Sequence, residues 1–108
     1  MNERLKKLAA NIKKDPDDSF LKFALALEFQ KLNNPDKALV LFESIHADEP
    51  GYVGVYFHLG KLYRQKGRDE KAKTIFKEGI SIADEQNEFH AKSELQSALM
   101  ELEIEDYE

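Results

Sequence analysis

Apolar residues along the chain recur at helical spacing in six runs separated by short polar breaks. Over residues 2–14, Leu5, Leu8 and Ile12 share one side and lysines fill the rest, which predicts an amphipathic helix. Asp15-Pro16-Asp17-Asp18 closes that helix and opens the next, because proline stops an incoming helix and aspartate favours a helix amino terminus. The second run, about 18–32, is unusual. Leu21, Leu25, Phe29 and Leu32 form one stripe, while Phe20, Phe23 and Leu27 form another about 180° away at 100° per residue, so both sides need cover. Asn33-Asn34-Pro35-Asp36 makes the next turn, with Asn33 suited to a left-handed closing residue and Pro35 to a first helical position. A helix over about 35–48 buries Ala38, Leu39, Leu41 or Phe42, and Ile45, and Pro50-Gly51 ends it. Then come a helix over about 52–66 closed by Gly67, and one over about 69–83 that turns Ala72, Ile75, Phe76, Gly79, Ile80 and Ala83 inward. A weaker pattern over 87–105 completes the set.

The fourth run holds the key. Tyr56, Leu59 and Tyr63 stand at i, i+3 and i+7 with Gly60 beside them, followed by Ala72 and Phe76. A glycine within a helix costs about 1 kcal/mol relative to alanine, so it marks a very close approach by another helix. The pattern returns 34 residues earlier. Aligning 19–52 with 53–86 pairs Phe23 with Phe57, Leu25 with Leu59, Lys37 with Lys71, Ala38 with Ala72 and Phe42 with Phe76, without a gap. The grid also runs backwards, because Leu5, Leu8 and Pro16 precede Leu39, Phe42 and Pro50 by the same interval. Residues 2–14 therefore read as the second helix of a pair.

In these offsets the sequence resembles the tetratricopeptide repeat, a 34-residue helix-turn-helix unit. The second copy matches well, with Tyr56 where the family favours Trp and Asp84 in the slot of the closing proline. In the first copy Lys22 replaces the aromatic and Ala26 the glycine, while Pro50 stands where that proline belongs. The resemblance implies an all-α fold, an α-α superhelix of about six antiparallel helices, as a single domain over 1–108. Its expected parts are an N-terminal helix (2–14), repeats at 19–52 and 53–86, a capping helix (87–105) and an acidic tail (106–108). The last helix fits only if two extra residues precede it. Leu95, Leu99 and Leu102 then fall on the positions of Leu59, Tyr63 and Lys66.

Composition narrows the function. The net charge of −5, with 34% charged residues, argues against nucleic acid, which requires a basic face. There is no cysteine, so disulfides, thiolate metal sites and a cysteine nucleophile are excluded. No apolar run reaches 18 residues and the amino terminus lacks a signal peptide's apolar heart, so no membrane contact and a cytoplasmic location are expected. Charge is uneven. Arg4, Lys6, Lys7, Lys13 and Lys14 face Glu3 alone in the first 14 residues, whereas Glu101, Glu103, Glu105, Asp106 and Glu108 crowd the last eight. This fits solvated helix ends, or head-to-tail attraction between chains that salt would weaken.

No catalytic or metal-binding constellation stands out. His46, His58 and His90 are scattered, no glycine loop suits a phosphate, and the carboxylates fall at positions expected to be exposed. A non-enzyme without cofactor or metal is the expectation. The resemblance implies instead a groove lined by the first helices, here by Phe20, Phe23, Ala24, Leu27, Gln30 and Lys31, then by Gly54, Phe57, His58, Lys61, Arg64 and Gln65. Phe23 and Phe57 would lie side by side. The carboxylate clamp of some family members is missing, since Phe23, Leu27 and His58 replace its Lys and Asn residues. An apolar floor of Phe20, Phe23, Leu27 and Phe57, with Lys31, Lys61 and Arg64 towards one rim, suits an amphipathic protein or peptide segment with acidic residues. Burying each floor side chain stabilises by roughly 1.5–3 kcal/mol, so two other occupants compete. One is the chain's own tail, through Leu95, Leu99, Met100, Leu102 and Ile104; the other is a second copy in a self-associating structural module, as in a symmetric homodimer.

Overall fold

A computed structural model describes residues 2–107. Among them lie six helices and no strand: α1 (Glu3–Lys14), α2 (Ser19–Lys31), α3 (Pro35–Asp48), α4 (Gly54–Gln65), α5 (Asp69–Glu85) and α6 (Phe89–Glu105). The chain divides into two compact units, Met1–Tyr52 and Val53–Glu108.

Local chemistry sets the helix ends. Asn2 Oδ1 accepts from the backbone N–H of Arg4 at 2.8 Å, Asp18 Oδ1 from Leu21 at 3.1 Å and Asn34 Oδ1 from Lys37 at 3.4 Å, each satisfying an orphan donor. Three helices close through a left-handed residue: Asn33 (φ 57°), Gly67 (φ 75°) and Asn87 (φ 59°). The backbone N–H two residues past each helix cap then donates back to a carbonyl in the last turn, Asn34 to Phe29, Arg68 to Tyr63 and Glu88 to Ala83, each at 2.8 Å. Asn33 and Gly67 behave as their composition predicts. Asn87 adds a third closure, because α5 runs to Glu85 rather than stopping near 83.

In the first unit α2 packs between α1 and α3. Its two apolar stripes are covered unequally: Leu25 joins Leu5 and Leu8 of α1 in a cluster flanked by Ile12, Leu21, Ala24, Phe29 and Leu41, while on the other side the Phe23 ring meets Phe42 edge-on at 5.7 Å and Phe20 stays exposed. Of the two alternatives in α3, Phe42 is fully buried and Leu41 half-buried, which settles the choice the periodicity left open. Lys22, in the slot of an expected aromatic, is only 6% exposed. Its ammonium donates to Ser44 Oγ at 3.0 Å and to Asp48 Oδ2 at 2.9 Å, so its stem supplies the packing and its head finds partners at the helix edge.

In the second unit Tyr56 fills the corresponding slot and its hydroxyl donates to Glu78 at 3.3 Å. Glu78 lies 34 residues after Ser44, so both hairpins place one polar bond at the same register with different chemistry. Burial, with Glu78 close by, pushes the Tyr56 phenol up to about 12. The glycines mark the tightest approaches. A Cβ at Gly60 would sit 2.3 Å from the Phe76 ring, and one at Gly79 would sit 2.6 Å from Tyr56 Cβ and 3.0 Å from Leu95 Cδ1. What comes so near Gly60 is the aromatic ring of α5. α6 lies against α5 and α4 through buried Leu95, Ala98 and Leu102. Ala98 thus takes the seam position expected of Leu99, which is half-buried, because the 3-then-4 spacing keeps the stripe on α5.

Gly60→Ala should lower stability by about 1–3 kcal/mol in urea unfolding, since the enclosed Phe76 ring has to move and this outweighs alanine's helical advantage of about 1 kcal/mol. Gly67→Asn, at an open left-handed position, should cost less than about 1 kcal/mol.

Candidate functional site

The first unit carries a hollow of about 410 Å³ lined by Arg4, Phe20, Phe23, Ala24, Leu27, Glu28 and Lys31. It gathers the four candidate residues of α2: Phe20, Phe23, Leu27 and Lys31. Phe20, Ala24, Leu27 and Lys31 share a stripe because they are spaced by 4, 3 and 4 residues. Phe20 is 68% exposed, a large aromatic open to solvent beside apolar neighbours. Phe23 is held from below, by Phe42 and by Tyr52 at 5.5 Å between ring centroids. The floor is therefore packed at Phe23 and open at Phe20.

The hollow also contains a residue that pattern reading misplaces. Glu28 was expected at the surface with the other carboxylates, yet it is 3% exposed. Arg4 Nε reaches its Oε1 at 3.0 Å and Lys31 Nζ at 3.7 Å, while Oε2 receives no hydrogen bond. Two cations on one carboxylate leave the rim with an excess positive charge, and both cationic heads are exposed. Sequence held one signal for this. Glu28 lies at i−3 from Lys31, on a helix that is apolar on both sides, so a carboxylate there had little room to stay outside.

The second unit brings Phe57, Lys61 and Arg64 together in a channel of about 290 Å³ between α4 and α6, whose far wall includes Glu94, Ala98 and Glu101. Lys61 Nζ stands 5.2 Å over the Phe57 ring. His58 lies beside the channel with its ring 5.9 Å from that of Phe57. Arg64 differs from expectation in its surroundings: α6 supplies acid to it, through Glu101 at 3.4 Å and through Glu105. Lys73 is likewise paired with Asp106, which holds its ammonium above the ordinary value. The acidic end of the chain is thus partly neutralised within its own unit. Within the second unit Leu95 and Leu102 of α6 point inward while Met100 and Ile104 remain exposed.

Among the described residues no group of three His, Asp or Glu is placed to hold a metal ion, and no helix is long and apolar enough to cross a membrane. Burial lowers the pKa of His58, Glu94 opposes that shift and Lys61 adds to it. Since the unfolded chain then binds the proton first, His58 contributes stability that is complete above about pH 6.5 and declines as pH falls from there to the lowered folded value. His58→Gln should flatten this part of the stability profile, read as urea midpoints between about pH 5 and pH 7.5.

Comparison with known proteins agrees with the fold. A family model described as tetratricopeptide repeat matches residues 30–99. The crystal structure of a tetratricopeptide repeat domain protein from Salinibacter ruber superposes with a TM-score of 0.78 at 42% identity, covering 80% of this chain and 96% of that one. A solution structure of a tetratricopeptide repeat domain protein from the same organism gives 0.77 at 43% identity, over 82% and 90% of the two chains. The type III secretion translocator chaperone SycD of Yersinia enterocolitica shares the fold, with a TM-score of 0.88 at 18% identity over 96% of this chain and 72% of its own. Among curated proteins no match was found. With its 34-residue hairpins, its small-residue seam and a family match over most of its length, the chain belongs to the tetratricopeptide repeat family.

Proposed function

We propose that the protein is a non-catalytic interaction module that binds an amphipathic, acidic segment of a protein partner, with the α2 hollow as its principal contact. The observation that carries this reading is Phe20, exposed beside Phe23 and Leu27 on a floor otherwise fixed in place, with the Arg4 and Lys31 heads at its edge. An apolar side chain entering the hollow gains burial of about 25 cal/mol per Å², and an acidic neighbour on the same segment meets the surplus cation. Family membership supports the coarse statement, protein interaction without catalysis. The α4–α6 channel, with Phe57, His58, Lys61 and Arg64, offers a second contact in which Lys61 is the cation available over an aromatic face, Arg64 being engaged by α6.

The test uses a synthetic helical peptide with leucines on one face and glutamates on the other, and a twin carrying lysines in place of the glutamates. Chemical-shift mapping should place the acidic peptide on Phe20, Phe23, Leu27 and Lys31, with affinity at least about tenfold above its basic twin. Phe20→Ser should abolish that preference at unchanged fold. Equal binding of both peptides, or perturbations centred on Val40 at the opposite apolar surface of α3, would refute the assignment.

A further inference from the structure

The outer face of α6 carries a feature that the core does not use. Phe89, Met100 and Ile104 lie on one stripe and Tyr107 follows just beyond the helix; these four are between 53% and 92% exposed. At 100° per residue Phe89, Gln96, Met100 and Ile104 fall within about 80° of one another. Glu103 borders the same stripe, whereas Glu94, Glu101 and Glu105 lie on the channel side of the helix, where Arg64 takes the last two. α6 is therefore apolar on an exposed side, with the Glu103 carboxylate at its edge. That is the chemistry which the α2 hollow selects.

The hollow is its complement. Its apolar stripe, Phe20, Ala24 and Leu27, lies beside Arg4 of α1, a helix on which Arg4, Lys6, Lys7, Lys13 and Lys14 outnumber Glu3. Register gives a second argument. α1 holds Leu8 where α3 and α5 hold Phe42 and Phe76, the positions at which a second helix meets its first, yet α1 packs mainly against α2, the helix that follows it. α6 occupies a first helix's place against α4 and α5 and leaves its other side open. A first helix with an open side and a second helix with an open side are the two halves of one hairpin.

We infer that the occupant of the α2 hollow is α6 of another copy of this chain, docked so that its Phe89–Ile104 stripe covers Phe20 and Leu27 while Glu103 faces α1. This rests on the reading of the hollow as a docking site and adds the identity of the ligand. The two surfaces differ, so the contact is heterologous and propagates head to tail rather than closing as a symmetric dimer. One helix laid on two makes a contact at the small end of protein interfaces, the class of weak and transient encounters.

Sedimentation of the wild-type chain from about 10 μM to about 1 mM should show mass rising above 12.5 kDa, with the association constant falling at least about tenfold between about 50 mM and 500 mM salt. Phe20→Glu removes the hollow's floor and Met100→Lys the stripe, both at exposed positions. Each variant alone should remain monomeric. Mixed in equal amounts they should form a dimer and nothing larger, because each retains the surface the other has lost. A wild-type chain that stays monomeric throughout overturns the inference, as does a mixture that fails to pair. If that monomeric chain still prefers the acidic synthetic peptide through Phe20, the hollow remains a docking site and only its occupant was wrongly assigned.

Discussion

Two missing methyl groups govern how closely the helices of the second unit can approach. At Gly60 the Phe76 ring occupies the volume in which a side chain would begin, and at Gly79 Tyr56 and Leu95 come in from two other helices. Each glycine weakens its own helix by about 1 kcal/mol, a cost that only tertiary contact can offset. The contact supplies it by bringing Phe76, Tyr56 and Leu95 to near-complete burial, at about 1.5–3 kcal/mol for each large side chain. α6 reaches the hairpin through Leu95 at this same point. The position of the acidic wall opposite Lys61 and Arg64 is thus a consequence of how small residue 79 is.

The first unit solves the same problem with different residues. Ala26 and Ile45 stand 34 positions before Gly60 and Gly79 and both are fully buried, so the hairpin of α2 and α3 meets larger side chains at both points. Lys22 replaces the buried tyrosine and Ser44 with Asp48 replaces its glutamate partner. A lysine stem and a phenol ring both bridge from the apolar interior to a polar rim, which explains why so unlike a pair can share one slot. The hollow lies elsewhere on α2, where Phe20 is left exposed beside half-buried Leu27.

Periodicity and spacing were enough to read the architecture, because a 34-residue interval constrains both helix phase and hairpin length, and the caps at Asp18, Asn34 and Gly67 stand where their chemistry demands. The four α2 candidates could be grouped from sequence for the same reason: residues spaced by 3 and 4 must share a face. What stayed hidden were the results of pairing between elements. Glu28 is buried because Arg4 arrives from a different helix, and Arg64 is engaged because α6 presents carboxylates at its height. Neither partner is near in sequence, and a charge's environment depends on distances that no local pattern encodes. Ala98 displaced Leu99 from the seam for a related reason, since a short residue suffices where α6 already touches α5 through Leu95.

The end of α5 shows how such a lattice absorbs irregularity. On the 34-residue interval this helix would finish three residues earlier, level with Asp48 of α3; instead it continues to Glu85 and turns at Asn87. The added residues, 83–85, follow Phe76 and Gly79, which make the close approaches to Gly60 and Tyr56, so the inserted length alters the helix end and loop and leaves those approaches in place. Variation in repeat length is tolerable at a hairpin's open end and intolerable at its waist. Homologous arrays would accordingly gain and lose residues after the second helix, where the chain can change the phase at which its next helix sets out.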